Sequence, residues 1–182
     1  RSSDLSLEMK TASDSINLNA GQSFDVTFSV NAETSGFGGY LTYDNSVFTS
    51  VTVVVDGGTT SGKTDNNGEW KASYNGYTHF LSVDYYKKDA AGNTTAQIAD
   101  PVKVSGSSIA TLKFTSAKPV IKTDITFSPS YLRTNGSDVE LKTQKLTLTN
   151  SQAKTVTLSL GIVKGNGHIS VPVYFSRNDG FN

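Results

Sequence analysis

Apolar residues recur at every second position along almost the whole of this 182-residue chain. In Ser23-Phe24-Asp25-Val26-Thr27-Phe28-Ser29-Val30 the alternation is strict. A period of two sends successive side chains to opposite faces of an extended strand, whereas a helix needs a period near 3.6. Gly, Asn, Asp and Ser gather between the runs, as turns require. Nine strands are expected, over 5–10, 24–31, 37–44, 47–55, 69–74, 79–86, 108–116, 124–128 and 140–149. Short strands separated by turns close into a two-layer sandwich, so the fold class is all-β, a nine-stranded β-sandwich. The period assigns Phe24, Val26, Phe28 and Val30 to the core, with Phe37, Leu41 and Tyr43 from the third strand. Ile109, Leu112 and Phe114 are apolar but alternate imperfectly. The polar stretch 87–104 reads as a long excursion between strands, and 56–68 as a loop.

The alternation returns at the end of the chain. Val26, Phe28 and Val30, followed by Gly36-Phe37-Gly38, are echoed by Val171, Val173 and Phe175, followed by Gly180-Phe181-Asn182. Each copy follows a similar lead strand, Leu5-Ser6-Leu7-Glu8-Met9 in one and Thr157-Leu158-Ser159-Leu160-Gly161-Ile162 in the other. Fixed-spacing echoes are the mark of tandem arrays. The chain therefore divides into a module over 1–150, a short polar linker over 151–155, and the opening strands of a second, truncated module over 156–182. A lone strand pair lacks a core of its own. The strand around 169–175 is expected either to add to a sheet edge of the first module or to exchange with another molecule.

Composition removes several functions. Sixteen basic residues balance sixteen acidic ones, which gives no electrostatic footprint for nucleic acid. Without cysteine there is no disulfide framework, thiolate metal site or thiol nucleophile. No apolar run reaches the roughly 18–20 residues that span a bilayer, so membrane insertion is not expected. The opening Arg1-Ser2-Ser3 carries no signal-peptide pattern and reads as an internal boundary. The two histidines, His79 and His168, fall in different copies, and no carboxylate pair, nucleophile elbow or phosphate loop stands out. Asp65-Asn66-Asn67-Gly68-Glu69 lacks the full spacing of a calcium loop and reads as a solvated turn. The expectation is a protein that is not an enzyme.

Leu41-Thr42-Tyr43-Asp44-Asn45-Ser46-Val47-Phe48 carries a more specific pattern, a strand ending in L-x-Y-D, a turn and a Val-hydrophobic pair. It follows Gly36-Phe37-Gly38 and precedes Phe80-Leu81-Ser82-Val83-Asp84, then Ile98-Ala99-Asp100, then Ile109-Ala110-Thr111-Leu112-Lys113-Phe114. In that order these segments resemble the third, fourth, sixth and seventh strands of cohesin modules, the receptor modules of cellulosome- or amylosome-type scaffoldins. The tail, from Leu160-Gly161-Ile162-Val163 through Val171-Pro172-Val173-Tyr174-Phe175-Ser176, resembles a cohesin start. The resemblance covers about residues 5–150 and the truncated second start. It implies a jelly-roll sandwich that binds a dockerin, with calcium on the dockerin partner and no cofactor on this chain. It also implies a secreted or bacterial cell-surface location and a role in assembling polysaccharide-degrading complexes.

In that family one sheet face, from strands three, five, six and eight, receives the partner. Matching motifs carry it to Gly38, Tyr40 and Thr42, to Leu81, Val83 and Asp84, and to Trp70 and Tyr74. Tyr40 lies between inward Gly39 and Leu41 and so points outward. Leu81 and Val83 have the opposite parity to Phe80 and are expected outward too, where exposed apolar groups make a hot spot. Asp84 is suited to fixing register with a cationic partner. The plainer account has Tyr40, Leu81 and Val83 simply covered by the 87–104 excursion. Gly38-Gly39 departs from the bulkier residues often seen there, which bears on partner specificity. A rival function is carbohydrate binding. Trp70, Tyr74, Tyr77, Tyr85 and Tyr86 fall on neighbouring strands and could stack on a plant polysaccharide or starch, though Tyr also packs between strands for structural reasons.

Overall fold

A computed structural model of the chain describes residues 7–55, 68–104, 108–135, 140–161 and 168–175. It is all-β. In chain order the strands are β1 (Leu7–Lys10), β2 (Ser15–Ile16), β3 (Ser23–Val30), β4 (Glu33–Thr42), β5 (Phe48–Val55), β6 (Gly68–Asn75) and β7 (Phe80–Lys88). They continue as β8 (Thr94–Ile98), β9 (Val102–Lys103), β10 (Ala110–Ser116), β11 (Lys122–Thr134), β12 (Gln144–Asn150), β13 (Lys154–Gly161) and β14 (His168–Phe175). One sheet has the order β1-β3-β10-β5. The other runs β2-β12-β11-β4-β7-β6, with β8 added to β7 and β9 to β4. The chain crosses repeatedly between the two layers, as a jelly-roll sandwich does.

All nine expected strands are present. The additions are short: β2, β8 and β9. The polar excursion of 87–104 is thus partly strand, and it places Ala99 and Val102 in the core. The core forms where the period of two turns apolar side chains inward. Phe28 of β3 stacks on Phe37 of β4 at 5.7 Å and meets Phe127 of β11 edge-on at 5.0 Å, so three rings tie the two sheets together. Phe24, Phe48 and Phe114 form a second ring cluster, joined by Tyr43. Each such side chain contributes about 1.5–3 kcal/mol by leaving water.

Two features go beyond the sequence reading, and the first extends one sheet face. First, β11 does not stop at Ser128 but continues to Thr134. Its register against β4 shifts between Pro129 and Tyr131. A proline cannot donate to the ladder, and a bulge absorbs that loss while the strand goes on. Second, the outer edge of β1 is occupied by a side chain. The Gln144 amide accepts from the Met9 N–H at 2.8 Å and donates to the Leu7 carbonyl. One amide thus stands in for a neighbouring strand and links β12 to the opposite sheet.

The joint after β12 is pinned. Asn150 is buried, and its side-chain Oδ1 accepts from the Leu18 and Gln152 N–H groups, each at 3.1 Å. The Ser151 N–H donates to the Ile16 carbonyl at 2.8 Å. Beyond it, β13 and β14 pair antiparallel, with Leu160 opposite Ile169 and Leu158 opposite Val171. Lead strand and echo strand are therefore partners in the tail, as β1 and β3 are in the module. Among the described residues β14 pairs with β13 and joins neither sheet of the sandwich.

Candidate partner-binding sheet face

The four strands expected to form the receptor face are consecutive neighbours in one sheet: β11, β4, β7 and β6. Their register lines up outward residues in rows across the sheet. One row reads Arg133, Gly36, Asp84, Lys71. The next reads Tyr131, Gly38, Ser82, Ser73, and the third Ser128, Tyr40, Phe80, Asn75. Thr42, exposed, lies beyond Tyr40 opposite Thr126.

Asp84 of the first row holds a network with Arg133 and with Tyr131 of the second. The Tyr131 hydroxyl donates to Asp84 Oδ2 at 2.8 Å, and Arg133 Nε donates to Oδ1 at 3.3 Å. The guanidinium also sits 4.5 Å from the centre of the Tyr131 ring, in cation–π range. Glycines make this possible. A Cβ on Gly38 would strike the Tyr131 ring, and one on Gly36 would strike the Asp84 carboxylate. With both side chains absent, Tyr131 lies across β4 and reaches β7. Burial, and then the bond to Asp84, push the Tyr131 hydroxyl well above the ordinary tyrosine pKa, so it remains a donor.

The third row is open. Tyr40 is half exposed and meets Phe80 edge-on at 4.9 Å. A shallow cleft lies toward the charged end instead, running from Ser73 and Ser82 past Lys71 to Tyr86 and Thr94. Just past the face, Tyr77 is fully exposed at the tip of the turn between β6 and β7. Asn75 holds that turn by accepting from the Tyr77 and Thr78 N–H groups. His79 enters β7 with φ of 60°, its ring stacked on Tyr43 at 4.7 Å.

The structure thus sorts the residues expected at the interface. Gly38, Tyr40, Thr42 and Asp84 lie on the outer face. Leu81, Val83 and Trp70 do not: they are buried between the sheets, Trp70 stacked on Tyr85 at 5.1 Å. Tyr74 shares their inward parity. It is half-buried, with its hydroxyl 2.5 Å from that of Tyr43, and burial followed by that bond raises its pKa. The error is one of parity. Phe80-Leu81-Ser82-Val83-Asp84-Tyr85 is apolar on both phases at its start, and taking Phe80 as inward inverts the strand. The phase holding Ser82 and Asp84 is the outer one, and that signal was in the sequence. Leu81 and Val83 belong to the core between the sheets, which Ala99 and Val102 of the 87–104 excursion also enter. Asp84 is nearly buried, both oxygens engaged by this chain's own donors, so it is not free for a cationic partner. Tyr131, Arg133 and Phe80 belong to the face and were missed, the first two because Pro129 reads as a strand end. Residues 65–67 of the Asp-Asn turn lie outside the described residues.

No protein-family model and no curated protein matches the chain. Solved structures do resemble it. A type II cohesin domain from the cellulosome of Acetivibrio cellulolyticus shares 14% identity over 80% of this chain and 95% of that one, with a TM-score of 0.46. A cohesin module from a Clostridium perfringens family 33 glycoside hydrolase shares 8% over 81% and 98%, with a TM-score of 0.44. A chain of an interface mutant of the type II Cohesin-X-Dockerin complex from Acetivibrio cellulolyticus shares 15% over 69% and 78%, with a TM-score of 0.38. At such identities and overlaps, the functional reading falls to the chain's own residues.

Proposed function

We propose that the chain is a non-catalytic, cohesin-like receptor module that binds a dockerin through the outer face of β11, β4, β7 and β6. The observation that carries this reading is the half-exposed Tyr40, set against Phe80 beside a trough of Gly38, Ser82 and Ser73 on a flat sheet. A preformed aromatic anchor next to small residues suits a rigid partner and needs no rearrangement of the sandwich. The resemblance of Leu41-Thr42-Tyr43-Asp44 and the segments around it to cohesin strands supplies the partner class. On this reading the calcium belongs to the dockerin, the chain is extracellular, and its role is to gather polysaccharide-degrading proteins. The tail hairpin is then the opening of a second such module. Its strands pair as β1 and β3 do. The sugar-binding alternative loses its best platform, because Trp70 lies in the core.

The test is binding of the full chain to immobilised dockerin modules, in calcium and in chelator. Calcium-dependent capture that Tyr40→Ala and Ser82→Arg each weaken, with melting temperatures unchanged, supports the reading. Absence of capture, or capture indifferent to both substitutions, overturns it.

A further inference from the structure

The edge of β6 is built differently from the edges around it. At β1 the Gln144 amide fills the border, and the far end of the eight-stranded sheet is the two-residue β2. β5 ends the other sheet, and its ladder with β10 shifts register at Ser116. β6 ends the eight-stranded sheet with eight residues and no proline. Its register with β7 runs unbroken from Gly68–Lys87 to Asn75–Phe80. Short strands, bulges and prolines are the ordinary guards of a sheet edge, and β6 has none of these. The direction of its backbone groups follows from β7. The His79 carbonyl accepts from the Leu41 N–H at 2.9 Å, and the Tyr85 carbonyl from the Ala99 N–H at 2.8 Å. Odd-numbered residues there turn toward β4 and β8, and even-numbered ones toward β6. Opposite Phe80, Ser82, Asp84 and Tyr86 stand Asn75, Ser73, Lys71 and Glu69. Trp70, Ala72 and Tyr74 therefore point their N–H and C=O groups away from β7, and among the described residues no strand pairs with that side.

We propose that the chain forms a two-fold dimer in which β6 pairs antiparallel with β6 of a second copy, Ala72 opposite Ala72. The outward groups are spaced evenly about Ala72, so the edge is complementary to itself. In this register Trp70 faces Tyr74 in both directions, and every outward N–H and C=O of the three residues finds a partner. On the outer face Lys71 then stands opposite Ser73, and Glu69 opposite Asn75. The lysine selects this register. Centring the pair on Lys71 sets it against its own copy, and like charges directly opposite destabilise a strand pair. It also leaves Tyr74 unpaired. Centring on Ser73 leaves Trp70 unpaired. The contact is isologous, so it closes at two copies and does not run on as a fibre. The dyad of an antiparallel pair stands perpendicular to its sheet, which puts both outer faces on the same side. A dimer of this kind presents two copies of the β11, β4, β7 and β6 face side by side, and linked ligands would meet the second at high effective concentration. The pairing itself does not depend on what that face binds.

Sedimentation velocity of the full chain, across a concentration series at low ionic strength, tests the dimer. The expected result is a concentration-dependent equilibrium between monomer and dimer. Ala72→Pro removes an N–H that only the second copy uses, at an edge position where a strand accepts proline. It should leave a monomer that keeps its thermal transition. Ser73→Lys sets a lysine opposite Lys71 twice and should raise the dimer dissociation constant about tenfold, while Ser73→Glu should lower it by a similar factor. Ser73 is exposed, so both variants keep the fold, and they carry the test alone if Ala72→Pro does not fold. A chain that stays monomeric throughout the series, a dimer that survives in folded Ala72→Pro, or one indifferent to the charge at residue 73 overturns the proposal.

Discussion

At one end of the outer sheet face, Tyr131 and Arg133 close over Asp84; at the other, Tyr40 stands half exposed against Phe80. The two ends are built from the same three strands, a few residues apart, and spend their side chains differently. The charged end satisfies itself: every oxygen of Asp84 has a donor from this chain, and the gaps at Gly36 and Gly38 exist to admit them. The aromatic end leaves area uncovered. A residue that completes its own fold resists substitution through stability, whereas one that leaves surface open should matter only when something lands on it.

The largest effect lies just beneath the contrast. Leu81 is fully buried under this face, and Leu81→Asp forces a carboxylate into the core. The loss should be at least about 4 kcal/mol, most of a small domain's stability, read as collapse of the thermal transition. Any binding lost in that variant reports unfolding. Next is Gly38→Val, whose side chain meets the Tyr131 ring. Displacing the ring and its bond to Asp84 should cost about 2–3 kcal/mol in urea unfolding. A cost near zero would mean that the closed end is not closed.

Tyr131→Phe keeps the ring and removes only the hydroxyl, for an expected loss of about 1–2 kcal/mol. It also has an optical signature. A phenol whose pKa is raised by folding contributes its stability in full below the unfolded tyrosine value near 10 and loses it as pH climbs toward the folded value. Absorbance titration of the wild type should show two late-ionising tyrosines, Tyr131 and Tyr74, of which the variant keeps only Tyr74, along with a steeper alkaline loss of stability in the wild type. The smallest change in stability belongs to Tyr40→Ala, within about 0.5 kcal/mol, because half of its surface is already in water. Yet its expected effect on dockerin affinity is the largest on the face, about 2 kcal/mol or more, measured by calorimetry. If Tyr40→Ala instead lowers the melting temperature sharply while binding holds, the two ends have been assigned the wrong roles.

The layers and the core could be read from the sequence because they depend on local alternation, which Phe24 through Val30 states plainly. The outward placement of Tyr40 was legible for the same reason, between Gly39 and Leu41. Leu81 and Val83 failed because β7 begins apolar on both phases, and only the opposing sheet decides which phase is buried. Trp70 and Tyr74 inherit that error across the register, as partners of Tyr85 and Leu81. The Asp84 network was out of reach for another reason. It joins residues nearly fifty positions apart through a strand that continues beyond a proline. Nothing local to Pro129 says that a bulge will carry the ladder on to Tyr131.

The Gln144 amide on the edge of β1 has a consequence for crowding. An uncovered strand edge is an invitation to the next chain, and the likeliest guest is one with the same alternation. This chain carries such a guest itself, since the lead strand of the tail repeats the pattern of β1. Tethering would hold the two at a high effective concentration whatever the bulk dilution. By filling the Leu7 carbonyl and the Met9 N–H from within its own fold, one glutamine turns an adhesive border into a finished one.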